Sequence, residues 1–530
     1  MNDRPIRVLV SDKLAQDGLE ILEAEPGLEV TVNTGLAPED LKKELAKHDA
    51  IIVRSATKLP AEVLSAAPEL RAIVRAGVGV DNVDVDAATR QGTLVMNTPG
   101  GNTISTAELA VALLLALCRN IAPACAKLKA GTWDKKSFQG VELNGKTIGI
   151  LGLGRIGCEV AKRCRAFNMR VLGYDPFLSE ERAEQLGITV CKSVDELVPQ
   201  VDFLTVHTPL NDDTRGIIGA AEFARMKDGV RVVNGARGGI IDEQALFEAL
   251  ESGKVAGAAL DVYTVEPPED RRLVEHDRVL CTPHLGASTK EAQVGVAVDA
   301  ARQLIDALKN GEVRSALNYP ALSRQEATEL APYGELALRL GRLAGQLVEG
   351  QLEVVSVTYA GEIADRDLRG VTNELTTGLM RCFEEDVNPV NAPMLARQRG
   401  IDIRVTTTET ARDFRALLRV EAQATGGAHT FEGTILGRRS PWLVMIDDFR
   451  LELPPEGTLL LIRNVDRPGV VGAVGTVLGD ARINISGISW GSRRGQALSL
   501  VRCDADTIAP DILRTLEKLP DVKNVRMVRV

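Results

Sequence analysis

Short apolar runs recur along the first hundred residues, and the stretches between them space their apolar positions for helices. "IRVLVSD", "LEVTVN", "DAIIVRS", "LRAIVRAG" and "TLVMNTPG" read as strands. "AQDGLEILEA", "APEDLKKELAKH" and "PAEVLSAAPE" read as the helices between them. Runs that are apolar throughout fit strands covered on both faces, and their alternation with helices predicts a parallel sheet. "STAELAVALLLALCRNIAPACAKLKAG" follows as one long predicted helix.

A second series then begins. "KTIGILGLGRIG" runs from strand into turn, and "RVLGYD", "DFLTVHTP", "GVRVVNGARG", "VAGAALDVY" and "RVLCTPH" give further apolar strands. The helix "STKEAQVGVAVDAARQLIDALKNG" is placed to cross back to the first unit. From about residue 320 the texture changes to amphipathic helices and short strands, and "LPPEG" reads as a linker. The last segments run β-α-β-β-α-β, the order of a ferredoxin-like domain. The predicted class is therefore α/β: two doubly wound parallel-sheet domains, an α+β segment, and a ferredoxin-like C-terminal domain.

Composition narrows the function. A net charge of −10 and the lack of basic runs give no nucleic-acid footprint. None of the eight cysteines forms a C-x-x-C pair, so no metal site or dithiol motif is expected, and the usage fits a reducing cytosol. "MNDRPIRVLVSD" lacks a signal-peptide core. "LAVALLLALC" falls short of the ~20 residues that a bilayer needs, so no membrane partner is expected.

Chemistry enters at "GLGRIG". Gly152, Gly154 and Gly157 form G-x-G-x-x-G between a strand and a helix, the context of a dinucleotide site. Asp175 ends the next strand, where an acid binds the ribose hydroxyls of NAD. "PFLSE" after it holds no Lys or Arg for a 2′-phosphate, so NAD is favoured over NADP. Arg237, Glu266 and His284 each follow a later strand, and ligands gather at the carboxyl ends of such strands. Oxidation of a 2-hydroxy acid needs a base, which suits His284. Glu266 would orient it, and Arg237 would hold a carboxylate.

The motifs "GLGRIG", "VHTPL", "NGARGGIIDEQAL", "ALDVYTVEPP" and "TPHLGAST" resemble the D-isomer-specific 2-hydroxyacid dehydrogenases. "RAGVGVDNVD" and "MNTPGGNTISTAEL" are similar to the long-form branch that acts on 3-phosphoglycerate. The resemblance implies NAD-dependent oxidation of 3-phospho-D-glycerate in L-serine biosynthesis, in a cytoplasmic dimer or tetramer. It implies Arg237, Glu266 and His284 as the catalytic set. It places Val78, Gly152, Gly154, Arg155, Ile156, Gly157, Asp175, Thr208, Pro209, Ala236, Arg237, Asp261, His284 and Gly286 at the cofactor. Arg54, Ser55, Arg75, Gly77 and Asn102 would meet the substrate.

The implied division is residues 1–98 plus 292–320 for substrate, 99–291 for NAD, 321–455 intervening and 456–530 regulatory. "RNVDRPGVVGAVGTVLG…INISGIS" resembles an ACT domain, with Asn464, Asp466 and Asn484 at the positions that hold L-serine as effector. Asn464 departs from the larger His or Tyr of the pattern. A structural dimerisation module is the alternative for that domain. For the whole chain the alternatives are a glyoxylate or hydroxypyruvate reductase and an NAD-sensing corepressor.

Overall fold

The computed structural model describes residues 4–437 and 439–530. The first sheet is parallel and five-stranded, in the order Leu28–Val32, Ile6–Val10, Ala50–Val53, Ala72–Arg75, Leu94–Asn97. Apart from the edge strand Leu28–Val32, which buries none of its residues, its apolar runs are covered on both faces, to which successive side chains point in turn. Val8, Val10, Ile52 and Val74 pack against Val296, Ala297, Ala300 and Leu304 of the Lys290–Ile305 helix. Leu9, Ile51, Val53 and Ile73 pack against Leu41, Val63 and Ala88 of three short helices. The Lys290–Ile305 helix thus returns from the second unit to complete the core of the first.

The second sheet is parallel and seven-stranded, in the order Val279–Cys281, Val255–Leu260, Val230–Asn234, Phe203–Val206, Thr147–Leu151, Arg170–Tyr174, Thr189–Val190. The single long helix expected after residue 104 is two helices, Thr103–Cys118 and Ile121–Lys129, whose axes meet at 63°. Asn120 between them is left-handed (φ 50°), a conformation Asn tolerates better than most residues. The first helix lies in the core; the second buries none of its residues. No single described helix is long and apolar enough to cross a membrane.

Residues 324–453 form a six-stranded sheet with helices Arg324–Leu347, Arg369–Met380 and Ala392–Gln398. The last sheet is antiparallel, in the order Ile485–Arg493, Gln496–Cys503, Thr458–Val465, Val522–Arg529. One face carries the Val470–Asp480 and Pro510–Glu517 helices through Leu460, Ile462, Val474 and Leu516. On the other face, Leu459, Leu461, Leu498, Leu500 and Val528 join a core with Leu336, Leu340, Val355, Val357 and Val420. "LPPEG" therefore joins two halves of one core, and does not separate two independent bodies.

Candidate active site

The dinucleotide turn is built by close backbone approach. Gly152 is left-handed (φ 91°), and a Cβ there would lie 2.8 Å from the carbonyl carbon of His207. A Cβ on Gly157 would lie 2.0 Å from the carbonyl oxygen of Gly152, so the helix packs onto the strand only without a side chain. Gly154 caps the Arg155–Ala166 helix and faces open space, with nothing within 4 Å of its missing Cβ. The free N–H groups of that helix's first turn, Arg155 and Ile156 included, stand beside this space.

Asp175 follows Tyr174 at the strand end; its Oδ2 accepts from Leu153 N–H at 2.8 Å and its Oδ1 from Phe177 N–H at 2.8 Å. Across the turn, His207 Nδ1 and Thr208 Oγ1 are buried polar atoms without a protein partner. Neighbouring backbone is already engaged: Pro209 C=O accepts from Thr214 Oγ1, and Ala236 N–H donates to Asn234 Oδ1. An open glycine cradle, a helix N-terminus, a strand-end carboxylate and orphaned polar atoms fit a dinucleotide.

His284 Nδ1 lies 2.7 Å from Glu266 Oε2, and Glu266 Oε1 accepts from Tyr263 N–H at 3.1 Å. Burial pushes the Glu266 carboxyl up, but the bonds from His284 and Tyr263 and the charges of His284 and Arg237 outweigh it and hold the group below its usual range. An ionised carboxylate accepts, so Nδ1 carries a proton toward Glu266, and Nε2 is the ring nitrogen left to face a ligand.

The loop bearing His284 is held in an uncommon shape. His284 has φ 55° and donates its N–H to Asp261 C=O at 2.8 Å. Asp261, expected to contact the cofactor, is fully buried and its carboxylate is spent on this loop. It accepts from Thr282 Oγ1 at 2.6 Å, Leu285 N–H at 2.7 Å and Gly286 N–H at 2.9 Å. Gly286 is likewise buried, and its carbonyl accepts from Ser105 and Thr106 of the Thr103–Cys118 helix. These bonds over-determine the left-handed histidine.

Three arginines meet in the cleft between the first two units. Arg237 Nε is 3.1 Å from Asp81 Oδ2, and its Nη1 donates to Ala236 C=O at 2.6 Å. A Cβ on Gly79 would lie 1.7 Å from Arg237 Nη2 and one on Gly77 would lie 2.1 Å from Arg75 Nη1, so "GVG" is shaped around two guanidinium groups. Burial, followed by the charge of Arg237, pulls Arg75 down to about 10 against the attraction of Asp81, and Arg54 adds to the repulsion. Like charges crowded this way, with Arg54 Nε, Arg75 Nε and Asn102 Oδ1 buried and unpartnered, are what an anionic ligand would relieve. Ser55 is exposed beside Arg54, and Val78 C=O accepts from Asn97 Nδ2 at 2.6 Å.

Several supporting residues escaped sequence reasoning. Asp12 accepts from Arg54 N–H at 2.5 Å and from Thr57 Oγ1 at 2.9 Å. Asn82 donates to Arg54 C=O at 2.7 Å and Thr57 C=O at 2.6 Å. Thr98 Oγ1 is another buried atom without a partner. The asparagine in "RAGVGVDNVD" and the acid ending "RVLVSD" were the available signals. Among the described residues no His/Cys/Asp/Glu cluster could hold a metal.

In the C-terminal domain, Asn464 is fully buried and donates to Val465 C=O at 2.7 Å. It therefore faces the core, unlike the exposed Asp466 and Asn484, the latter donating to Asp504 at 2.7 Å.

The chain matches the D-isomer specific 2-hydroxyacid dehydrogenase NAD binding domain over residues 111–286. It matches the D-3-phosphoglycerate dehydrogenase intervening domain over 329–447 and the ACT domain over 458–521. It is 42% identical to the D-3-phosphoglycerate dehydrogenase of Archaeoglobus fulgidus across 99% of this chain and 100% of that one. The chain belongs to the D-3-phosphoglycerate dehydrogenase family. The enzyme of the same name from Bacillus subtilis is 40% identical over 98% of this chain and 99% of that one.

Among solved structures, a glyoxylate reductase from Paecilomyes thermophila superposes with TM-score 0.55 at 35% identity, covering 59% of this chain and 98% of that one. The D-lactate dehydrogenase from Aquifex aeolicus, complexed with NAD and lactic acid, gives 0.53 at 28% identity, covering 59% and 100%. The family's second domain binds NAD, in agreement with the glycine turn described above.

Proposed function

We propose that the protein oxidises 3-phospho-D-glycerate to 3-phosphohydroxypyruvate, the entry step of L-serine biosynthesis. The observation that carries this reading is the set of three cleft arginines, Arg54, Arg75 and Arg237, two of which keep buried Nε atoms unpartnered. One carboxylate needs one guanidinium fork; a phosphate dianion accounts for the other two. Full-length relatives that carry the phosphoglycerate dehydrogenase name support it.

In this reading Arg237 holds the substrate carboxylate and polarises the oxygen on C2. His284 Nε2 removes the hydroxyl proton, and Glu266 at Nδ1 stabilises the imidazolium that forms. NAD, when bound, supplies the acceptor for the hydride from C2. The arginines, with the unpartnered Asn102 Oδ1 and Thr98 Oγ1, would hold the substrate with C2 toward the cofactor turn.

Exposed Trp133 (84%) beside a helix that buries none of its residues supports a homo-oligomer through the second unit. Eight unpaired thiols favour the cytosol. Asp466 and Asn484 remain candidates for an effector such as L-serine.

The test compares 3-phosphoglycerate with D-glycerate in NADH formation, with and without L-serine. Strong preference for the phosphorylated acid is expected, and it should collapse by about ten- to a hundredfold in Arg54→Ala, the worth of one charged hydrogen-bonding group. Equal rates on both acids would sink the phosphate assignment and favour a glyoxylate or hydroxypyruvate reductase.

A further inference from the structure

The stretch "NPVN" in the middle of the chain has no part in the chemistry above, yet it docks on the substrate unit. Asn388 Nδ2 donates to Gly92 C=O at 2.8 Å, and Asn391 Nδ2 reaches Arg90 C=O at 3.4 Å. These carbonyls belong to the C-terminal end of the Val85–Gln91 helix, where backbone acceptors have no partner within the helix. Gly92, left-handed at φ 81°, closes the helix, and a Cβ on it would lie 2.2 Å from Asn388 Nδ2.

The other end of this helix leads straight into the active site. Its cap is Asp84, whose side chain accepts from Ala87 N–H at 2.8 Å. The two residues before Val83 are Asp81, which grips Arg237, and Asn82, which holds the carbonyls of Arg54 and Thr57. Leu59 N–H to Asn82 C=O and Asp84 N–H to Leu59 C=O, at 2.7 and 2.9 Å, tie the two loops into one unit. A seven-residue helix of about 10 Å is too short to bend, so its two ends move together.

The asparagine turn is equally fixed on its own side. Asn388 Oδ1 accepts from Val390 N–H at 2.9 Å, and Asn391 Oδ1 accepts from Asn388 N–H at 2.8 Å. Asn373 Nδ2 donates to Pro389 C=O and Arg381 Nε to Val387 C=O, each at 3.0 Å, which anchors the turn to the Arg369–Met380 helix. That helix sits in the core shared with the C-terminal sheet. The turn is therefore tied to the same core on which the C-terminal sheet packs.

We propose that Asn388 and Asn391 are positioning residues for the substrate arginines: through the Val85–Gln91 helix they set the loops that carry Arg54 and hold Arg237, and they link the regulatory half to substrate affinity. This rests on the reading of those arginines as substrate ligands.

Asn388→Asp isolates the contact, because it keeps the acceptor that holds the turn and removes the donor to Gly92. The expected result is a KM for 3-phosphoglycerate raised about fivefold, with the KM for NAD unchanged. An unchanged substrate KM, or equal changes for both ligands with a lowered Tm, would overturn the proposal by marking the contact as structural only. Arg54→Ala runs alongside: if it too leaves the substrate KM unchanged, the ligand assignment itself has failed.

The unaltered protein gives an independent readout. Hydrogen exchange of residues 386–392 should slow when saturating 3-phosphoglycerate binds, because coupling is reciprocal. No change in that segment, with protection present around 54–57, would reject the link.

Discussion

Arg237 and Asp81 pair across the cleft, Nε to Oδ2 at 3.1 Å, although 156 positions separate them in the chain. The bond occupies one edge of the guanidinium, and a second contact takes Nη1 to Ala236 C=O. Nη2 lies over Gly79 with no partner among these bonds. Asp81 and Ala236 thus leave Nη2 as the unengaged nitrogen of the Arg237 guanidinium.

Asp81→Asn should loosen that arrangement. Asp81 is two-thirds exposed, and such pairs are worth ~0.2–1 kcal/mol, so the substrate KM should rise by no more than about fivefold. The KM for NAD should not move. Steady-state kinetics with each ligand varied in turn checks this; a lowered substrate KM would mean that Asp81 competes with the substrate for Arg237.

Glu266 and His284 should separate by magnitude. His284→Asn removes the base and should lower kcat by about 10²–10⁴-fold while NADH binding, followed by fluorescence, persists. Glu266→Gln keeps the ring and removes one charge-assisted partner, so about a ten- to hundredfold loss is expected. The Glu266 carboxyl is held below its usual range, so the pair is intact above the ordinary carboxyl value and is lost only as pH falls through the lowered one. A Glu266→Gln enzyme as active as wild type would remove the carboxylate from the mechanism.

How much of this was legible in the sequence follows from the range of each interaction. The glycine turn is a local requirement: Gly152, Gly154 and Gly157 are set by one strand–helix junction, so their spacing together with the flanking strand and helix pointed to it. The β-α-β-β-α-β order of the last domain was legible for the same reason. The helix break at Asn120 was passed over, although its signals are local: the apolar run stops at Cys118, and Pro123 falls in the first turn of the next helix. Asp261 and Asp175 both follow apolar strands, yet one feeds a loop and the other the glycine turn, and nothing in the sequence tells which way a strand-end carboxylate turns. Longer-range partnerships, Arg237 with Asp81 or Asn388 with Gly92, leave no periodic trace. Nor does the core shared by the third and fourth sheets, since alternating strands read alike whichever sheet covers them.

His207 should make the protein sensitive to acid. Burial pushes its imidazole down to about 4, whereas an unfolded chain titrates near 6.5. Between those values the unfolded state binds a proton that the folded state does not, so stability falls as pH drops through this window. His207→Gln keeps a polar atom toward Thr205 Oγ1, which His207 Nε2 now meets at 3.0 Å, and removes the titration. Its Tm should decline less steeply than that of wild type from pH 6.5 to 4. Parallel melting curves would assign the acid sensitivity elsewhere.

Gly154→Ala and Gly157→Ala should fail in different ways, because only one of the two new methyl groups has an atom to strike. A Cβ added at Gly157 would lie 2.0 Å from the carbonyl oxygen of Gly152, so the helix must lift from the strand. Tm and NAD binding should both fall. At position 154 nothing lies within 4 Å, so the free protein should melt as wild type does. The methyl would instead stand in the space left for a pyrophosphate, and the KM for NAD should rise at least about tenfold, the cost of ~1.4 kcal/mol. Calorimetric titration with NAD on both variants, beside their thermal melts, separates packing from ligand contact. A Gly154→Ala protein with unimpaired NAD binding would show that the dinucleotide does not approach this backbone.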